Sequence, residues 1–336
     1  MGAMPACGDC HRGARWWGTA AGGLPTPGGL WQHEWMDRQS DQDPLALDAR
    51  VLRRRLEAAA EHVDTAAALH REVGRRLLER LDYVRLDPAA VLDLGCLGGI
   101  SSGALRARYP RARHVVADLA QGLVRQARRK SRRLRRTPGV CAGLQRLPFA
   151  NDSFDLVFSN LTLHRSPDLK PTARELQRIL RPGGVLMFST FGPDTLTELR
   201  AAWSEVDQTP HVHGFVDMHD IGDALVGARL ADPVMDMEHF TLTYDSVAAL
   251  VADLNGLGLR NALKARARGL TTPRAWQRME QAYEAWRDPE GRLPATWEVA
   301  YGHAWGTDAQ QQITSDHGEV RVPLESLSVP RRRRGD

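Results

Sequence analysis

The sequence predicts an α/β protein: a mostly parallel sheet with helices on both faces, a helical cap before the first strand and a helical insertion late in the chain. Three observations predict it. Between residues 90 and 205, short apolar runs that read as strands alternate with segments of helical period. Such alternation with short loops favours parallel pairing through crossover helices. Second, the apolar run Val91-Leu92-Asp93-Leu94 opens onto Gly95-Cys96-Leu97-Gly98-Gly99, and another run, His114 to Ala117, ends in Asp118. Third, after Pro210 the alternation stops, and helices are mixed with two extended segments.

The elements follow in order. Residues 50–84 read as two helices, because Val51, Leu52 and Leu56, then Ala66, Leu69, Val73, Leu77 and Leu81, recur at helical spacing. They precede the first strand and are placed to cap a pocket. Strands are expected near 90–94, 113–118, 139–142, 154–159 and 184–190, and helices near 100–109, 120–136, 171–180 and 194–205. Arg181-Pro182-Gly183-Gly184 reads as a turn between a helix ending at Leu180 and the buried strand Val185 to Thr190, because Pro and Gly break a helix. Further on, 217–229, 246–257 and 272–287 read as helices, Pro233 to Tyr244 as extended, and Leu293 to Trp305 as the last folded stretch, with a strand from Thr296 to Tyr301. Residues 1–45 are rich in Gly, Trp and Pro without periodicity and are expected to be a disordered extension, with Met36 a candidate native start. One domain is expected over 46–306, and 307–336 form a basic tail.

Composition narrows the function class. A chain of 336 residues buries a full core, and no apolar run reaches the roughly 18 residues of a membrane span. Of four cysteines, Cys7 and Cys10 form a lone CxxC, and no second pair completes a zinc site. His211, His213 and His219 cluster around Phe215 but lack a carboxylate or Cys at ligand spacing, so loop and packing roles are expected and no metal. Few, unpaired cysteines suit a reducing cytoplasm. Arg125 to Arg136 holds eight basic residues in twelve. It reads as a solvated helix face or as a docking surface for an acidic protein. No interleaved aromatics support nucleic acid.

The strand, glycine turn, helix, strand and acid form the layout of a nucleoside pocket. Glycine lets the backbone approach the ligand, and a carboxylate bonds the ribose diol. There is no GxGxxG, and Asp93 precedes the first Gly, which argues against NAD. Asp118 alternatively caps the following helix. Ser159 and Asn160 end the fourth strand, on the edge where ligands of open α/β sheets bind. Gln145 is placed to bond an adenine or to face solvent. This VLDLGC form resembles motif I of class I S-adenosylmethionine (SAM) methyltransferases. Leu147-Pro148-Phe149, Ser153 to Asn160, Leu180 to Gly184 and Val185 to Thr190 follow in methyltransferase order. The resemblance implies a Rossmann-like fold and a cofactor site of Asp93, Gly95, Cys96, Gly98, Gly99, Asp118, Leu119, Gln145, Ser159 and Asn160.

Phe188 to Arg200, Ser159 to His164, Phe215 to Met218, and Leu293 to Val299 with Tyr301 to Trp305 narrow it further. These segments resemble the malonyl-acyl-carrier-protein O-methyltransferases of biotin synthesis over about residues 50–306. The resemblance implies SAM as cofactor, acyl carrier protein bearing a malonyl thioester as partner, and an antiparallel edge pair formed by the two late strands. It leaves the catalytic residue open. His164 and Arg165 are candidate substrate-positioning residues, though His164 also reads as a loop histidine and Arg165 as a solvent-facing one. This chain departs from the family pattern where Leu97 replaces Gly, where Gly143 replaces an acid, near Val63 where a Tyr is common, and at Arg165 where an aromatic is usual. Much of the pattern is shared with a SAM-binding mitochondrial assembly factor that hydroxylates an arginine. Alternatives are therefore a non-methylating assembly protein or a methyltransferase for another acceptor.

Overall fold

A computed structural model describes residues 46–131 and 137–308. The expectations for the N-terminal extension, Met36, Cys7 and Cys10, nearly all of the basic tail and the second half of the 125–136 basic stretch lie outside the described residues. The sheet has seven strands: β1 (Ala90–Leu94), β2 (Arg113–Asp118), β3 (Gly139–Cys141), β4 (Phe154–Ser159), β5 (Leu180–Phe191), β6 (Ala231–Tyr244) and β7 (Leu293–Trp305). Their order is β3-β2-β1-β4-β5-β7-β6. The first five pair in parallel, while β7 runs antiparallel to both β5 and β6 and so closes one edge as an antiparallel pair.

Strand periodicity sorts the core into two layers. Val91, Leu156, Phe158, Val185 and Met187 face one way, under α3 (Ala68–Arg80), α7 (Thr197–Ser204), α9 (Val247–Gly256) and α10 (Pro273–Tyr283). Leu92, Leu94, Val157, Leu186 and Phe188 face the other, against α6 (Leu169–Ile179) and α8 (Met218–Gly227). Every residue of β1 is buried, as expected of a central parallel strand covered on both faces. The cap consists of α1 (Ala49–Ala59), a short α2 (Val63–Ala66) and α3, three helices where two were expected. The cap is tied to the closing strands by Arg76 and Arg80, which pair with Glu238 at 2.6 and 2.9 Å, and by the Arg80 guanidinium lying 3.8 Å from the ring centre of Tyr301.

Two expectations are corrected. The helix expected at 120–136 ends early: α5 spans Gln121–Arg129, and the Ser131 hydroxyl turns back to donate to the Arg128 carbonyl at 2.6 Å. The turn expected at Arg181 to Gly184 is instead a bulge inside β5. The pairing slips between Phe154↔Leu180 and Leu156↔Val185, and Gly183 absorbs the excess at φ +76°. Arg181 closes the bulge on Asp155 at 2.7 and 2.9 Å, and that carboxylate also accepts the Ala89 and Ala90 amides, aligning β4 with β1. Among the described residues no helix is long and apolar enough to cross a membrane.

Candidate active site

The site forms where β1, β2 and β4 end and α4 (Ser102–Arg108) and α5 begin. After Leu94 the chain reverses at Gly95, whose φ is +71°. A Cβ there would lie 2.0 Å from Thr162 Oγ1, so both backbone angle and space require glycine. The Gly95 and Cys96 amides donate to the Ala117 carbonyl at 2.8 and 3.1 Å, locking the turn onto the end of β2. There the buried Asp118 carboxylate accepts the Leu97 amide at 3.0 Å and the Ala120 amide at 3.3 Å. Burial pushes its pKa up, opposed by the Arg165 charge and by these amides. Asp118 is not the helix cap: α5 starts at Gln121, and Glu57 of α1 accepts its Gly122 amide at 2.8 Å.

A cavity of about 760 Å³ opens beside this turn. Gly95, Asp118, Leu119, Gly143, Gln145, Thr162 and Arg165 line it, as do Leu47 and Leu52 of the cap segment. Of the residues expected to hold the cofactor, Gly95, Asp118, Leu119 and Gln145 border this cavity, with Gln145 also donating to the Asp168 carbonyl at 3.2 Å. The others do not border it. Asp93 accepts a short hydrogen bond from Ser102, and burial raises its pKa to about 6. The buried Cys96 packs with Val116, Val124 and Ala127. A Cβ on Gly98 would strike Gln126, and one on Gly99 the Ala127 backbone, so these two glycines let α5 approach. The Ser159 hydroxyl is buried without a partner among the described residues. Asn160 donates to the His70 carbonyl at 2.8 Å and accepts from Ser189 at 2.9 Å, joining α3, β4 and β5.

A second cavity, of about 850 Å³, adjoins the first and shares Leu47 and Pro167 with it. His164, Thr190, Phe191 and Phe215 are among its walls. The His164 ring lies 4.7 Å from Phe191, and Phe191 stands 5.7 Å from Phe215 and 5.1 Å from Trp297. Both ring nitrogens of His164, both of the fully buried His70, and Nε and Nη2 of Arg165 are shielded from solvent without partners among the described residues. Burial and the Arg165 charge hold His70 down to about 3 and His164 well below its ordinary value, so both imidazoles are neutral. Arg165 is 7% exposed and does not face solvent. Burial lowers its pKa, and Asp118 counters. Leu161, just after β4, has φ +47° and is held by Ser189 Oγ accepting its amide at 2.9 Å, a strained approach to this junction.

Sequence reasoning missed Thr162, His70 and Phe191. His70 carried a signal: with Gly74, Leu77 and Leu81 it continues the buried face of α3. Thr162 carried none, because its contact with Gly95 spans 67 residues. The three histidines around Phe215 do not converge. His211 stacks on Trp203 at 3.7 Å, His213 accepts the Ala262 amide at 2.7 Å, and His219 pairs with Asp217 at 2.6 Å. One group with metal-ligand chemistry does converge among the described residues: Asp194, His239 and Glu298, within 4.8 Å. Glu298 already accepts the Asp194 amide at 2.7 Å and fills the space where Gly192 lacks a Cβ.

Comparison with known proteins decides the family. Residues 92–188 match the family described as a methyltransferase domain. The chain is 48% identical to the malonyl-[acyl-carrier protein] O-methyltransferase of Halorhodospira halophila, over 86% of this chain and 99% of that one. It is 47% identical to the enzyme of the same name from a Methylovorus species, over 85% and 99%. The chain belongs to the malonyl-[acyl-carrier protein] O-methyltransferase family. Its fold is shared with the YcgJ protein of Bacillus subtilis, at a TM-score of 0.50 and 14% identity over 70% of this chain and 99% of that one.

Two of the positions where the sequence reading expected a departure, Leu97 and Val63, have a packing explanation. Leu97 adopts φ +41°, yet its side chain is buried with Leu56, Val63 and Leu123 rather than bordering the cavity. The left-handed backbone costs about 1–2 kcal/mol, and burying a leucine returns about 1.5–3. Val63 belongs to the same cluster and serves the cap's packing. Gly143 gives the cavity lining no side-chain acid at its position, and Arg165 gives it a guanidinium.

Proposed function

We propose that this methyltransferase takes SAM into the cavity beside Gly95 and Asp118 and methylates the free carboxylate of a malonyl thioester on acyl carrier protein, an early step of biotin synthesis. The residues fit that cofactor. Asp118 offers a buried carboxylate for a ribose diol, Leu119, Leu144 and Leu147 offer apolar wall for a base, and Gly95 borders the cavity with backbone alone. When bound, SAM supplies a methyl group activated on a sulfonium.

The chain's own residues then position and desolvate. A carboxylic acid is ionised at pH 7, so the acceptor oxygen needs no general base. His164 and His70, held neutral, offer N–H donors without adding charge. Arg165 keeps two buried N–H groups free of any acceptor among the described residues, which suits a carboxylate. Exclusion of water by Phe191, Phe215 and the cap strips solvation from the acceptor oxygen and strengthens these contacts. The observation that carries the reading is a pair of adjoining cavities, one lined by the unpaired guanidinium of Arg165 and the other by the unpaired imidazole of the next residue back, His164.

Purified protein incubated with SAM and malonyl carrier protein should yield the malonyl methyl ester, detected by mass spectrometry. Asp118→Asn should raise the KM for the donor about tenfold, the scale of one charged hydrogen bond, and leave the acceptor KM nearly unchanged. Arg165→Met should raise the acceptor KM. Turnover of a different carboxylic acid, with none on malonyl thioesters, would reject the proposed acceptor.

A further inference from the structure

A third cavity, of about 260 Å³, lies beyond Phe191 and Phe215, which wall it and the acceptor cavity alike. Part of its lining is cationic. Arg55 of α1 and Arg260 and Arg266 of the loop after α9 border it. Arg55 Nη1 is shielded from solvent with no acceptor among the described residues. Burial and the neighbouring charges of Arg260, Arg266 and Arg54 push the Arg55 guanidinium down to about 10, which still leaves it charged at neutral pH. Asp48, 3.2 Å from Arg266, offsets one of the three charges. His213 accepts the Ala262 amide through Nε2, so when neutral its proton sits on Nδ1. Asn261 is consumed in shaping the loop, donating to the Pro210 carbonyl at 2.6 Å and accepting the Leu263 amide at 3.0 Å.

Like charges gathered at a recessed wall destabilise the fold unless an anion completes them, and guanidinium groups match phosphate oxygens in geometry. Trp203, Trp276 and Trp297 also line it, together with aliphatic side chains such as Leu199 and Leu254. It therefore sets three guanidinium groups and a largely apolar lining on the other side of Phe191 and Phe215 from the acceptor cavity. A malonyl group on a carrier protein hangs from an arm of this kind, with the thioester at one end, amides and methylenes between, and a phosphate at the other.

We infer that Arg55, Arg260 and Arg266 bind the phosphate of the phosphopantetheine arm, with the arm running past the tryptophans so that its thioester end reaches His164. This assignment rests on the carrier-linked acceptor proposed above and adds a phosphate subsite to it. Coenzyme A and carrier protein share this phosphate, so the subsite serves both.

Two measurements on the full chain separate the subsite from the reaction. Titration followed by tryptophan fluorescence should show 4′-phosphopantetheine binding at least tenfold more tightly than pantetheine, with inorganic phosphate competing. Arg260→Gln and Arg55→Met should each remove most of that preference. In methyl transfer from SAM, KM for malonyl-phosphopantetheine should be at least tenfold below that for malonyl-pantetheine, at similar kcat. Equal binding of the two arms by the unmodified protein would overturn the inference, whether or not the variants fold. A preference for the phosphorylated arm without methylation of any malonyl thioester would leave the phosphate site standing and reject the proposed acceptor.

Discussion

The glycine turn beside the first cavity and the segment that carries His164 and Arg165 are built in opposite ways. At the turn the polar groups are paired: both Asp118 oxygens accept backbone amides, Asp93 accepts the Ser102 hydroxyl, and Gly95 and Cys96 donate to one carbonyl. Around that segment the imidazoles of His70 and His164 and two nitrogens of Arg165 are buried with no partner among the described residues. A buried polar group without a partner costs about 1–3 kcal/mol. Paired groups shape a rigid pocket. Unpaired ones hold hydrogen-bonding capacity that substrate atoms can use.

The largest test bears on the rigid side. Gly95→Ala places a methyl 2.0 Å from Thr162 Oγ1 at φ +71°, whereas Gly183→Ala adds one at φ +76° with nothing within 4 Å. The first should cost about 3–5 kcal/mol, combining overpacking with left-handed strain, and the second about 1. Urea unfolding of both variants measures the gap, and equal costs would mean the turn can relax away from Thr162.

The unpaired side should show itself in pH dependence. His70 falls from 6.5 to about 3 on folding, so below pH 6.5 the unfolded chain takes up a proton that the folded one refuses. Stability therefore declines as pH falls from 6.5 toward 3, by about 1 kcal/mol per pH unit for this group. His213, lowered to about 4, acts in the same direction. Asp93, raised from 3.8 to about 6, acts oppositely, because the folded state binds its proton first. His70→Gln should flatten the decline between pH 6 and 5 by one proton's worth. An unchanged slope would show that His70 is solvated in the native state.

The smallest effect concerns Leu97. Since its side chain packs under the cap, Leu97→Gly should lose about 1–2 kcal/mol of stability after relief of backbone strain, and donor affinity should change less than twofold. Tighter donor binding in calorimetry would mean that the leucine does restrict the donor's site.

Much of the fold was legible in the chain because its causes are local. Strand alternation in β1, β4 and β5 assigns each side chain to a layer, and Asp48, Asp168, Asp217, Ser246 and Thr272 cap the helices they precede. The glycine turn and Asp118 were legible for the same reason, since a left-handed turn beside an acid can be recognised within thirty residues. What the tertiary structure alone decided are relations between distant segments. Thr162 fills the space that Gly95 leaves, α3 brings His70 near Arg165, and the bulge at Gly183 absorbs residues that read as a turn. It also turned Leu97 into the cap cluster, away from the cavity, and gathered Arg55, Arg260 and Arg266 around one recess. Periodicity and propensity report on a segment's own backbone and faces. Which groups end up buried without a partner depends on the packing of elements far apart in the chain, and that is settled only when the sheet closes.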